Sequence, residues 1–132
     1  MPIVKVSTLD HIVLKCADVE TSLAWYCDVL GLQPERVDEW RAGDVFFPSA
    51  RIDEHTIIDL FPGGPDGENF DHFCIVIEPT DLDAVAASGV FHVLAGPDTR
   101  WGARGDGTSL YVRDPDGNVV ELRYYGKPDG RD

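Results

Sequence analysis

Residues 9–16, LDHIVLKC, alternate apolar and polar side chains as a half-buried strand does. The period then changes. From Asp18 onward Val19, Leu23, Tyr26 and Leu30 recur every three or four residues, which predicts a helix, and Gly31 supplies its stop. Three strands are predicted after it, over about 32–38, 43–51 and 55–61, with Pro48 marking an edge or a bulge. PGGPDGEN, residues 62–69, is the strongest break in the chain. The plan then recurs. FDHFCIVI, 70–77, reads as a strand, and Thr80 with Asp83 has the form of a capping box that opens a short helix through Ala87, ended by Gly89. Further strands are expected over about 90–95, 107–113 and 118–125, the last entered through a type I turn at DPDG, 114–117. The Gly- and Arg-rich GPDTRWGARGDG between the first two reads as a long loop. Each half is thus β-α-β-β-β. Residues 1–132 make one domain, with module one over about 8–61, a linker at 62–69, module two over about 70–125 and a tail at 126–132.

The two halves match in their polar residues as well as in their elements. LDHIV and FDHFC place His11 and His72 at equivalent points, and Asp59 lies 48 residues after His11, as Glu121 lies 49 after His72. Each half therefore carries a histidine on its first strand and a carboxylate on its last. Alternation assigns them faces. Ile12, Leu14 and Cys16 oppose His11, Val13 and Lys15. Phe73, Ile75 and Ile77 oppose His72, Cys74 and Val76. Ile58 and Leu60 oppose Ile57 and Asp59, and Val120, Leu122 and Tyr124 oppose Val119, Glu121 and Arg123. If the larger apolar side chains pack against the helices, all four polar residues share the other side.

That side has two readings. A sheet with one wet face needs no function for a histidine or a glutamate on it. Val13, Ile57, Cys74, Val76 and Val119 make this face partly apolar, however, and a curled sheet would converge two imidazoles and two carboxylates on its floor. Such a set suits a divalent cation: imidazole favours Zn, Ni, Fe and Co, and two histidines with one carboxylate suit non-haem Fe(II). A cation would also relieve the repulsion between two enclosed carboxylates.

Composition narrows the partners. Eleven Lys and Arg against 24 Asp and Glu give a formal charge of −13, which repels nucleic acid and anionic membranes. The start, MPIVKVSTLD, has no signal-peptide core, and no apolar run approaches a membrane span. Cys16, Cys27 and Cys74 are scattered and without CxxC spacing, as expected of reduced thiols in a cytoplasmic protein.

The two βαβββ modules, with DHIVLKCADVETSLAWYCDVLGL, DHFCIVI and YVRDPDGNVVEL, resemble the vicinal oxygen chelate superfamily, which includes glyoxalase I, extradiol dioxygenases, fosfomycin-resistance transferases and bleomycin-resistance proteins. The resemblance spans 8–125, and DPDGNVVEL is its most specific part. It implies an α+β fold of two tandem βαβββ modules forming a curled mixed sheet, with the helices on the outer face. It implies one divalent metal ion per site (Fe, Mn, Ni, Co or Zn) held by His11, His72 and Glu121. Asp59 stands where glyoxalase I-like members have Glu; one methylene shorter, it would bind directly, bind through a water, or leave its vertex to substrate. Neither the fosfomycin-transferase patterns nor the four-module chain of extradiol dioxygenases is present. The implied activity is lyase, isomerase or dioxygenase chemistry on a small oxygenated metabolite chelated to the metal, with Glu121 or Asp59 as the base. Arg104, Arg100, Trp101 and Tyr111 are candidates for a substrate pocket, and Phe47 for a further wall. The alternative is a metal-free, drug-sequestering protein of the bleomycin-resistance type. Modules in this superfamily pair within a chain or swap between two, so a homodimer is expected.

Overall fold

A computed structural model describes residues 2–64, 67, 69–113, 117 and 119–128. The fold is α+β. By contact the chain divides into two compact units, Met1–Asp10 with His72–Asp132, and His11–Asp71. Strand β1 (Val6–Cys16) contributes its first half to the former and its second half to the latter.

The unit His11–Asp71 holds the second half of β1, then α1 (Val19–Ala24), β2 (Gln33–Glu35), α2 (Val37–Arg41), β3 (Ser49–Arg51) and β4 (Ile57–Pro62). Asp18 caps α1 by accepting from the Thr21 N–H at 3.2 Å. The helix continues as one wider, π-helical turn over Trp25–Val29 and stops before Gly31, whose φ of 81° suits a residue without Cβ. β1 and β4 run parallel, and β3 and β2 follow antiparallel. Cys16, Val19, Leu23, Ile58 and Leu60 form the core under α1, with Ile12 and Leu14 packed on it. A fully buried Leu such as Leu60 contributes about 1.5–3 kcal/mol.

The other unit holds β5 (Phe70–Ile77) from His72 onward, α3 (Leu82–Ala87), β6 (His92–Gly102), β7 (Gly105–Arg113) and β8 (Val119–Tyr124), with the first half of β1 alongside β5 through Ser7 Oγ donating to the Val76 carbonyl at 3.1 Å. β5 and β8 are parallel; β8, β7 and β6 are antiparallel. Ile77, Leu110, Val112, Leu122 and Tyr124 pack with Leu82 and Val85 of α3. In both units the apolar parity assigned from sequence is the one that meets the helix.

Three expectations are corrected. Asp81, not Thr80, caps α3, its Oδ1 accepting from the Ala84 N–H at 3.1 Å. The stretch read as strands over 32–38 and 43–51 is mostly otherwise: β2 and β3 are three residues each, and α2 lies between, with Val37 and Trp40 packed on the core. The segment 96–107, read as a loop, is largely a hairpin, paired from Asp98↔Ser109 to Gly102↔Gly105. Main-chain pairing needs no apolar alternation, so hydropathy alone does not reveal it. The turn expected at 114–117 lies, apart from Gly117, outside the described residues, as do Pro65, Asp66 and Glu68 of the expected linker and residues 129–132 of the tail. Cys16 and Cys74 are buried, Cys27 is half-buried, and all three are free thiols.

Candidate functional site

Each unit brings its histidine to its carboxylate. In β5 and β8 the parallel register sets Cys74 opposite Glu121, with His72 two residues upstream of Cys74 on the same face. In β1 and β4 it sets Val13 opposite Asp59, with His11 two residues upstream of Val13. The repeat therefore holds at the level of strand register. His72 Nε2 lies 3.1 Å from Glu121 Oε1, both groups buried. His11 Nε2 lies 3.8 Å from Asp59 Oδ2, again with both buried but beyond hydrogen-bond reach.

A serine fixes the far oxygen of each carboxylate. Ser109 Oγ donates to Glu121 Oε2 at 2.8 Å, and Ser49 Oγ donates to Asp59 Oδ1 at 2.6 Å. Both serines are fully buried. Ser49 stands directly across the β3–β4 ladder from Asp59, whereas Ser109 pairs with Arg123 and reaches Glu121 diagonally.

Arg123, which alternation places on the same face as Glu121, is a completely buried hub. Its Nη2 donates to Glu121 Oε2 at 3.0 Å and to the Arg100 and Trp101 carbonyls at 3.0 and 3.2 Å; its Nη1 donates to the Gly105 carbonyl and to the Tyr125 hydroxyl, and its Nε to Ser109 Oγ. Burial opposes this charge, but Glu121 foremost outweighs it and holds the guanidinium above its ordinary value. Asp10, also fully buried, lies 4.0 Å from Arg123 Nη1, accepts from the Ala103 N–H at 3.0 Å and accepts the Tyr125 hydroxyl. Gly102 makes room for this pair: a Cβ there would sit 1.9 Å from Arg123 Nη1 and 2.6 Å from Asp10 Oδ2.

The pocket candidates divide. Tyr111 meets the His72 ring edge-on at 5.6 Å between centroids, and the Arg100 guanidinium lies 5.9 Å from the Tyr111 ring centre. Trp101 contributes its carbonyl to Arg123. Arg104 is exposed and stacks over Tyr125 at 4.3 Å. Lys15 sits 4.0 Å from Asp71. Ser49, Ser109, Asp10 and Tyr125 were not singled out from sequence. The repeated DH dipeptide was the only sequence signal for Asp10.

The donor set of the second module fits a divalent cation. Two donors each about 2.1 Å from one ion and at right angles are about 3.0 Å apart, and His72 Nε2 and Glu121 Oε1 are separated by 3.1 Å. The same separation serves a direct hydrogen bond when no ion is bound. With Oε2 engaged by Ser109 and Arg123, Oε1 is the oxygen presented on the histidine side. His11 and Asp59, at 3.8 Å, fit a shared ion less closely.

The model of the Glyoxalase/Bleomycin resistance protein/Dioxygenase superfamily matches residues 8–122. The chain belongs to this superfamily. A glyoxalase domain-containing protein of Mycosarcoma maydis is 33% identical over 131 residues, covering 91% of this chain and 69% of that protein. A probable lactoylglutathione lyase of Synechocystis is 28% identical over 124 residues, 85% of this chain and 91% of the relative. Among solved structures, the Mn(II)-bound glyoxalase of Novosphingobium aromaticivorans matches with a TM-score of 0.69 at 22% identity, over 92% of this chain and 40% of that one, a likeness of fold. No helix among the described residues is long and apolar enough to cross a membrane.

Proposed function

We propose that this member of the superfamily is a metal-dependent enzyme, a lyase or isomerase acting on a small oxygenated metabolite whose adjacent oxygens chelate a divalent ion. One observation carries the reading: a buried histidine and a buried carboxylate recur at equivalent strand positions in both modules, each carboxylate held by a buried serine. Burying such groups costs stability unless they are well partnered. A protein that only sequesters a drug has no use for the same set twice.

In this reading His72 and Glu121 would hold the ion, which would supply charge stabilisation for a developing enolate or oxyanion. Arg123 and Ser109 both engage Oε2 of Glu121 and so hold its Oε1 toward His72. Ser49 orients Asp59, leaving Oδ2 as the oxygen that accepts a proton from the substrate and returns it. A carboxylate set for proton transfer favours isomerase or lyase chemistry over dioxygen activation. The relative described as a probable lactoylglutathione lyase is in keeping with that choice. A homodimer in solution belongs to the same reading.

Elemental analysis of protein purified without chelators tests it. A stoichiometric divalent metal, lost in folded His72→Ala, is the expected result. Metal-free wild-type protein that still holds a drug-sized aromatic compound would overturn it.

A further inference from the structure

Two residues beyond the carboxylate, the modules part company. Glu121 is followed by Arg123, and Asp59 by Phe61. On β4 the residues Ile57, Asp59 and Phe61 alternate against Ile58 and Leu60, which pack in the core under α1, so Phe61 shares the face of Asp59 about 7 Å further along. Lys15, on the same face of β1 as His11, stands opposite Phe61. Phe47 precedes Ser49 by two residues and lies 4.8 Å from Phe61, tilted by 43°. Phe46 meets Phe61 edge-on at 5.2 Å. Arg36 lies 5.0 Å over the Phe47 ring, its backbone left-handed at φ 60°, a conformation rarely adopted without glycine. Three aromatic rings thus end the Asp59 face, flanked by two cations, and Phe46 leaves 62% of its surface exposed.

We propose that Phe46, Phe47 and Phe61 bind the non-reacting part of the substrate, and that the substrate is an anionic aryl compound whose adjacent oxygens lie toward Asp59. The proposal rests on the reading that Asp59 marks the reacting end. Tilted and edge-on rings accept a further ring in the same geometry, which a saturated ring of equal size does not reproduce. Arg36 and Lys15 supply local positive charge on a chain of net charge −13, which otherwise repels anions. Asp71, 4.0 Å from Lys15, moderates that cation, so Arg36 is the principal anchor.

The test uses the full chain after chelator treatment, so that aryl binding is read without a metal. Phenylglyoxylate and cyclohexylglyoxylate share charge and adjacent oxygens and differ in the π system. By titration calorimetry the phenyl compound is expected to bind about threefold more tightly or better. Phe61→Leu and the exposed Phe46→Leu should each erase that preference, and Arg36→Gln should weaken both compounds while keeping it. Equal affinities in the wild type, or a preference that survives both Phe substitutions in folded protein, would overturn the proposal. Metal content measured on the same protein before chelator treatment separates the two readings: a metal-free protein with the aryl preference contradicts the proposed function alone, and a metalloprotein without the preference contradicts this inference alone.

Discussion

The two modules each set a histidine and a serine beside a carboxylate, yet finish their last strands differently. Module two closes on a buried polar network in which Arg123 joins Glu121, Ser109, Asp10 and Tyr125. Module one closes on aromatic rings beside Asp59. A guanidinium two residues from one carboxylate binds one of its oxygens and sets its direction, which suits a ligand. A phenyl group in the equivalent place leaves the other carboxylate oriented by Ser49, which suits a group that exchanges protons. The residue two places after the carboxylate, Arg123 in one module and Phe61 in the other, is where the modules differ.

The largest effect expected from this difference is on stability. Arg123→Met leaves Glu121 and Asp10 buried without their guanidinium and should cost about 3–5 kcal/mol in denaturant unfolding. Phe61→Leu, which keeps most of the apolar volume, should cost less than about 1.5 kcal/mol. Similar losses for the two variants would break the comparison.

Ser109→Ala removes one hydroxyl that both donates to Glu121 and accepts from Arg123, and should cost about 2–3 kcal/mol. Ser49→Ala removes one hydrogen bond to a carboxylate and should cost about 1–2 kcal/mol by the same measurement.

A smaller, pH-dependent effect belongs to module two. Burial foremost, and then the hydrogen bond to Asp10, push the Tyr125 phenol above its ordinary value of 10.0. The unfolded chain releases this proton near pH 10 while the folded chain still holds it. The contribution is therefore whole below pH 10 and lost as pH rises through the folded value. Wild-type stability should fall more steeply above pH 10 than that of Tyr125→Phe, and parallel curves would remove Tyr125 from the network. The helix caps should be alike: Asp18→Ala and Asp81→Ala are each expected to cost about 1 kcal/mol.

Much of this was legible in the residues. Alternation and helical spacing located β1, α1, β4, β5, α3, β7 and β8, and parity placed Glu121 with Arg123 and Asp59 opposite the apolar core. The serines were not legible because their role depends on which strand lies opposite and in what register. The burial of Arg123 was not legible because it depends on Gly102 and on carbonyls of the β6–β7 hairpin, a segment whose Gly, Pro and Arg content reads as loop. α2 was hidden by its length: Val37 and Trp40 are one helical repeat, too short to display a period.

Manganese(II) titrated into chelator-stripped protein tests most directly whether the shared residues form a metal site with unequal carboxylates. Affinity is expected to fall about 100-fold or more in His72→Ala and Glu121→Gln, and less than about tenfold in Asp59→Asn. Unchanged affinity in folded His72→Ala and Glu121→Gln would contradict the metal site itself, and an Asp59→Asn loss equal to that of Glu121→Gln would contradict the division of labour between the two carboxylates.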